Sequence, residues 1–572
     1  MSQTLIFDIE TNGLLLDVDT FHVGYTYCIE TKEYMQFRSP YSMVEALNNA
    51  DLIVAHNGIG YDLPALYILT KQHVTTEVVD TYLLSKLAYY DQDRSFSHSL
   101  DAHGQRLGYP KGHHTDWSRY SEEMDVYCKR DVEVTYKLYQ HLKRKTPWLP
   151  KEALDLEQDV QRIVTQQYLD GWMFDVKKGE QLHVELLGEY EKALLALHTT
   201  FKPKFLPKGK EKTPTKPFRR NGVYTVGTHQ PIEYTIFNPG SGNHIIWWVE
   251  RTLGEQDWKR TEKGTAKTDA ETLMEMFSEE EFIKPLLKYQ EVKKILGQLA
   301  EGDKAWLKMV HTDGRLHGSA DILGAVTGRF THSNPNLAQV PSVRAYKGKE
   351  ARSLFTVPNG YKLVGCDASG LELRTLSHYL ARYDEGKYGN TILEGDIHTA
   401  NQEAAGLPTR DMAKTFIYGF LYGAGDAKIG QIVNGTQKDG KKLKDTFTSK
   451  TKGLKGLLVA VKLAAKKGYL KGLSGRRLYV RSPHSALNTL LQSAGAYYMK
   501  YVVVELNKRL QQYDAKFVGN IHDEFQIQVR EDQADIVASI CEQVFIDVGE
   551  HLNMRIKMEG EAKIGNNWYD TH

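Results

Sequence analysis

Near its carboxyl end the chain reads Phe517-Val518-Gly519-Asn520-Ile521-His522-Asp523-Glu524-Phe525-Gln526-Ile527-Gln528-Val529, two strand-like runs pinched around Asp523 and Glu524. A further acid, Asp367, ends the strand-like stretch Tyr361 to Cys366. Carboxylates gathered from two distant strands suit a phosphoryl-transfer centre with two Mg²⁺ ions, one activating the attacking oxygen and the other steadying the leaving one. An acidic hairpin tip taken alone is more often a solvated turn, so its surroundings decide. Between these acids lies Arg410-Asp411-Met412-Ala413-Lys414-Thr415-Phe416-Ile417-Tyr418-Gly419. In a helix Arg410, Lys414 and Tyr418 fall at i, i+4 and i+8 and share one face. That face suits a nucleoside triphosphate, with the cations on phosphate oxygens and the ring beside sugar and base.

A second acidic set opens the chain. In Thr4-Leu5-Ile6-Phe7-Asp8-Ile9-Glu10-Thr11, strand alternation puts Asp8 and Glu10 on one face, where both reach one metal cluster. The strand-like run Leu52 to Ala55 leads through His56-Asn57-Gly58 to Asp62, and a helix-like segment places Tyr127 and Asp131 one turn apart.

Read together, DASGLELR from Asp367, RDMAKTFIYG from Arg410 and IHDEF from Ile521 resemble, in order, the three polymerase motifs of family A DNA polymerases, the polymerase I superfamily. The wording is similar to the replicative polymerases of short-tailed T-odd bacteriophages. The likeness continues through Thr327–Pro341 and Gly475–Ala496 and covers most of the last 260 or so residues. It implies that Asp367 and Asp523 bind the two metals with the Ala368 carbonyl, with Glu524 at the edge of the cluster. Arg410, Lys414 and His398 would hold the triphosphate. Glu372, packed near Tyr418, would occupy the space a ribose 2′-hydroxyl needs, favouring dNTPs. Arg329, Gln339, Asn488, Gln492 and His522 match positions that touch the minor groove or the primer end, where acceptors are alike for every correct pair.

The amino-terminal set resembles the DEDD-type 3′–5′ exonuclease with a tyrosine in its last motif. Asp8, Glu10, Asp62 and Asp131 would then hold two divalent ions and Tyr127 would orient the attacking water. Fused to a polymerase, such a site implies proofreading of a frayed primer end.

The elements that must position these groups imply an α/β multidomain chain: an RNase H-like DEDD exonuclease domain, then a right-hand polymerase with thumb, antiparallel palm sheet and helical fingers. The expected domains are 1–148 exonuclease, 149–310 thumb, 311–377 palm, 378–474 fingers and 475–572 palm again. Helical periodicity runs over Glu152–Tyr168 and Val176–Thr199 around a turn at Asp170–Asp175, and again from about Glu281 to Leu299. A short basic insertion near 201–234 sits where some phage relatives bind host thioredoxin, which makes thioredoxin a candidate processivity factor.

The 572 residues exceed a single core and call for two to four domains. An apolar content of 41% and a charged content of 25% are ordinary for a globular protein, and the net charge of +1 does not itself advertise nucleic acid. Clusters carry that signal instead. Lys202, Lys204, Lys208, Lys210, Lys212, Lys216, Arg219 and Arg220 crowd one loop, while Lys438, Lys441, Lys442, Lys444, Lys450, Lys452 and Lys455 form another tract. Cys28, Cys128, Cys366 and Cys541 show no zinc-like spacing and read as reduced thiols. No signal peptide or membrane-length apolar span is visible, so a soluble protein of the bacterial cytoplasm is expected, the host's if phage-encoded. Expected partners are primer-template DNA, dNTPs, a helicase-primase and a single-strand binding protein. Phage genome replication is the expected role, with gap-filling repair as the alternative, and a non-catalytic DNA-binding subunit is disfavoured by the full set of carboxylates.

Overall fold

The computed structural model describes residues 3–92, 95–207, 209–215, 218–220, 223–225, 227–261 and 264–572, with backbone alone for 218–220 and 223–225. Contacts divide the chain into two compact units. The larger comprises Met1–Met173, Arg315–Gln339 and Phe355–His572, and the smaller comprises Phe174–Gly314 and Val340–Leu354.

The larger unit begins with a five-stranded sheet of β1 (Thr4–Thr11), β2 (Phe21–Cys28), β3 (Tyr34–Phe37), β4 (Leu52–Ala55) and β5 (Val78–Asp80), in the order β3-β2-β1-β4-β5. β1 is central, antiparallel to β2 and parallel to β4. Leu5, Phe7 and Ile9 enter one apolar core and Ile6 another, as a strand covered on both faces requires. Helices α1 (Asp62–Thr70), α2 (Thr81–Ala88) and α3 (Glu122–Lys145) follow. The Asp80 carboxylate accepts the Tyr82 and Leu83 amides at the start of α2, and the Ser121 hydroxyl accepts that of Met124 at the start of α3. The buried stripe of α3 includes Met124, Cys128, Val132, Leu138 and Leu142, and its period carries Asp131 onto the buried face.

Helix α4 (Lys151–Asp170) belongs to the larger unit, whereas the sequence assigned it to a thumb beginning at 149. Two polar ties explain its allegiance. Gln158 accepts the Asp80 amide at 2.8 Å, and buried Glu157 receives Lys500 at 2.5 Å and Arg476 at 3.3 Å.

In the smaller unit α5 (Val176–Thr200) packs on α6 (Ile283–Leu296), and Phe201, Phe237, Trp248 and Phe282 fill its core. Both helices lie where periodicity placed them, α6 running into a π-turn at Gly297–Glu301. Between them Lys204–Pro207 pairs antiparallel with Ile232–Thr235. Lys202, Lys204, Lys210 and Lys212 of the basic insertion are exposed; Lys208, Lys216 and the side chains of Arg219 and Arg220 lie outside the described residues.

The larger unit resumes with β6 (Tyr361–Ala368) and a run of helices, among them α7 (Leu371–Asp384), α8 (Ile397–Ala405) and α9 (Arg410–Leu421). Helix α10 (Ala486–Leu510), β7 (Ala515–Ile521), β8 (Glu524–Arg530), α11 (Ala534–His551) and β9 (Gly560–Gly565) complete it. The second sheet is antiparallel in the order β7-β8-β6-β9. One face packs Val364, Cys366, Phe525 and Ile527 against Tyr498 and Val502 of α10 and Val544 and Phe545 of α11. Gly519 is required by its neighbour, because an added Cβ would stand 2.7 Å from the Trp172 ring.

Candidate active sites

The β7–β8 hairpin closes at His522-Asp523, with His522 in the left-handed region at φ 59°. Its tip meets the end of β6: Asp367 pairs in register with Glu524, and the Ala368 amide donates to the Asp523 carbonyl at 3.0 Å. Two acids 156 positions apart thus stand at adjoining strand ends, as their sequence setting implied. Burial and the neighbouring Asp523 and Glu524 carboxylates push Asp367 up to about 7, although solvent reaches its side chain. Burial, with Glu372 beside it, pushes Asp523 up to about 6. Carboxylates held this way invite a hard divalent cation, which restores their charged forms.

Glu524 differs. Its oxygens are engaged by Gln526 Nε2 at 2.6 Å, Trp568 Nε1 and His572 Nδ1 at 3.2 Å. Burial alone would raise its pKa, but those hydrogen bonds take it below the ordinary value. Glu372 receives Arg329 Nη2 at 3.2 Å and the Tyr422 hydroxyl at 2.6 Å. The sequence reading paired Glu372 with Tyr418 and missed Tyr422, which continues the Arg410–Lys414–Tyr418 stripe by one more step of four. Tyr418 also feels the charges of Glu372, Asp523 and Asp367, so it faces the acidic floor.

Helix α9 starts at the Thr409 cap, whose hydroxyl accepts the Met412 amide. It shows Arg410 and Lys414 to solvent, and Arg410 Nε bonds Asp396 at 2.7 Å, ahead of α8. His398 on α8 lies beside both cations; burial, then Arg410 and Lys414, lower its pKa. Its Nδ1 is a buried atom without a hydrogen-bond partner.

A small cavity is lined by Arg329, His522 and Asp523 together. Asn488 and Gln492 stand on α10 and line a different groove of about 710 Å³, shared with Lys86, Tyr90, Arg477 and Arg481. Gln339 is exposed at the end of the turn Leu337–Gln339.

At the amino-terminal sheet, Asp8 and Glu10 come from β1, Asp62 opens α1 and Asp131 lies on α3. Asp62 Oδ1 accepts the Ile9 amide at 3.2 Å. Burial first, then mutual repulsion, raises Asp8 and Glu10 well above the usual carboxylate range; burial pushes Asp62 up to about 7 and Asp131 up to about 6. Glu10 Oε1 and Asp131 Oδ1 are buried without a hydrogen-bond partner. Four repelling carboxylates with orphaned oxygens fit divalent cations. Tyr127 faces the same site, its pKa pushed up to about 12 by burial and Asp131.

Sequence reasoning missed two neighbours here. Cys128 donates weakly to the Asp8 carbonyl at 3.5 Å, and its place beside Tyr127 was the available clue. Lys111 reaches Asp131 at 2.5 Å from an irregular segment, and no spacing rule links it to the acids.

The fold is that of a DNA polymerase catalytic domain. It matches the "POL domain of Pol1 from M. smegmatis complex with DNA primer-template and dNTP" with TM-score 0.80 at 19% identity, over 100% of this chain and 96% of that one. The model for DNA polymerase family A matches residues 225–570, and the chain belongs to that family, whose members depend on divalent metal ions. It is 35% identical to the DNA-directed DNA polymerases of Escherichia phage T7 and Enterobacteria phage T3, over 99% of this chain and 100% of each relative. DNA polymerase I of Pseudomonas aeruginosa is 28% identical over 59% of this chain and 39% of its own length.

Proposed function

We propose that the chain extends a primer 3′ end along a DNA template with dNTPs, in phage genome replication, and that its amino-terminal site removes mispaired ends. The observation that carries the first half is the juxtaposition of Asp367 and Asp523 at adjoining strand ends, with both charges felt by Tyr418 of α9. The likeness to the T7 and T3 polymerases along the whole chain favours replication over gap filling.

On this reading Asp367, Asp523 and the Ala368 carbonyl hold Mg²⁺ at one site and Asp8, Glu10, Asp62 and Asp131 hold divalent ions at the other. Two ions at each site would activate the attacking oxygen and stabilise the leaving one. Arg410, Lys414 and His398 take the triphosphate oxygens. Glu372, braced by Arg329 and Tyr422, excludes a ribose 2′-hydroxyl. Arg329, Gln339, Asn488, Gln492 and His522 contact the primer-template end. Tyr127 orients the attacking water at the trimming site. The groove that joins Lys86 and Tyr90 to Arg477, Arg481, Asn488 and Gln492 combines cations with aromatic rings, the surface single-stranded DNA favours.

The assignment of exonuclease, thumb, palm and fingers to 1–148, 149–310, 311–377 with 475–572, and 378–474 belongs to this reading, with α4 moved out of the thumb. So do a thioredoxin partner at 201–234, helicase-primase and single-strand binding protein contacts, and action in the host cytoplasm. Among the described residues no helix is long and apolar enough to cross a membrane. Comparing product length with and without thioredoxin tests that partner; equal lengths remove it.

The deciding experiment separates the two sites on one labelled primer-template. Asp367→Ala or Asp523→Ala is expected to abolish extension and spare trimming, and Asp8→Ala with Glu10→Ala the reverse. Extension that survives the first pair overturns the polymerase assignment.

A further inference from the structure

Lys111 sits in the irregular segment between the helices Leu100–Arg106 and α3, yet its ammonium stands inside the amino-terminal acidic cluster. It lies 2.5 Å from Asp131 Oδ2 and 4.6 Å from the centre of the Tyr127 ring. Its field also reaches Asp8 and Glu10. The neighbouring Gly112 lets this segment lie against Tyr127, where an added Cβ would come within 3.3 Å of the ring. His114 and Trp117 continue the wall, with ring centres 6.0 and 5.4 Å from that of Tyr127.

One ammonium does not neutralise four carboxylates, and Glu10 Oε1 and Asp131 Oδ1 remain unpartnered. A complete account of charge follows only for a loaded site. Four carboxylates, two divalent cations, one phosphodiester and one ammonium sum to zero. The same sum without the lysine leaves a negative charge in a buried place, which is costly.

Resting on the exonuclease reading, we propose that Lys111 is both the resident counter-cation of the trimming site and its phosphate-holding group. In the free enzyme its ammonium occupies the Asp131 carboxylate. Once that carboxylate is engaged by a divalent cation, Lys111 turns along Tyr127 to a non-bridging oxygen of the scissile phosphodiester. No covalent bond to the lysine forms or breaks, and it keeps its proton throughout. Its flexible stem and point charge suit a group that must exchange one oxyanion for another.

The two roles act on different readouts, metal affinity for the counter-cation and turnover for the phosphate-holding group, so the first is testable apart from activity. The full chain carrying Asp367→Ala and Asp523→Ala, silent at the polymerase site, is compared with the same chain bearing Lys111→Met or Lys111→Arg. Mn²⁺ binding is followed by electron paramagnetic resonance, and trimming of a single-stranded 3′ end gives kcat and KM. Removal of a competing cation is expected to tighten Mn²⁺ binding several-fold in Lys111→Met, while kcat falls about 100-fold, the scale for one lost oxyanion partner. Lys111→Arg is expected to recover part of kcat. Weakened Mn²⁺ binding together with lost trimming would mark a merely structural lysine and overturn the proposal, as would trimming or Mn²⁺ binding that does not change. Trimming by the parent chain that survives Asp8→Ala with Glu10→Ala overturns instead the exonuclease reading, and the lysine's role falls with it.

Discussion

Glu372 concentrates two partners on one carboxylate oxygen, Arg329 on one side and Tyr422 on the other. Held so, the side chain is a rigid wall. Glu372→Ala is expected to raise the use of ribonucleotides relative to dNTPs by about 10- to 200-fold, the range for a steric discrimination of one small group; single-nucleotide primer extension with each rNTP measures it. An unchanged ratio would remove Glu372 as the gate. Strand alternation put Asp8 and Glu10 on one face and the hairpin form put Asp523 at a tip, whereas Asp62 and Asp131, which lie on helices, were reached only through the resemblance to a known motif set. Tyr422 was nearly legible, one helical step beyond the stripe. Lys111 was not, since its partner Asp131 is reached by the course of an irregular segment that no periodicity describes.

At the scale of elements, the span of α4 was read within two residues at each end, yet its allegiance was not. Propensity and periodicity report where a helix runs; they do not report which unit receives it. The deciding contacts join Glu157 to Lys500 and Arg476, 343 and 319 positions away, and such pairings leave no local trace. Arg476 also bonds the Thr327 carbonyl at 2.6 Å and Lys500 that of Ile322 at 2.9 Å, so one glutamate anchors two cations that in turn hold the segment before β6. Glu157→Ala leaves both cations buried without their anion, and a loss of about 3–5 kcal/mol of stability is expected. Urea unfolding followed by circular dichroism measures it, and a loss below about 1 kcal/mol would show the triad to be dispensable. The α9 cap is a smaller case: Thr409→Ala should cost about 1 kcal/mol.

For the molecule as a whole, the two acidic sites make stability depend on pH and on divalent ions together. An ordinary Asp titrates near 3.8, whereas Asp62 and Asp367 hold protons to about 7 and Asp131 and Asp523 to about 6. Between those values the folded chain binds more protons than the unfolded chain, so unfolding free energy falls as pH rises through the window. In EDTA the melting temperature is therefore expected to drop by several degrees between pH 5 and about 8. Mg²⁺ at 100 times its dissociation constant should return about 2.7 kcal/mol per occupied site at the upper end. A melting temperature indifferent to both variables would mean that neither cluster is a cation site. Helix α4 bears on any attempt to take the chain apart. An amino-terminal fragment cut at residue 148 would lose the side chain that accepts the Asp80 amide, and the remainder would keep a severed seam on its surface. Transplanting the amino-terminal module into another polymerase therefore requires a graft through Asp170 and a recipient that offers its own lysine and arginine to Glu157.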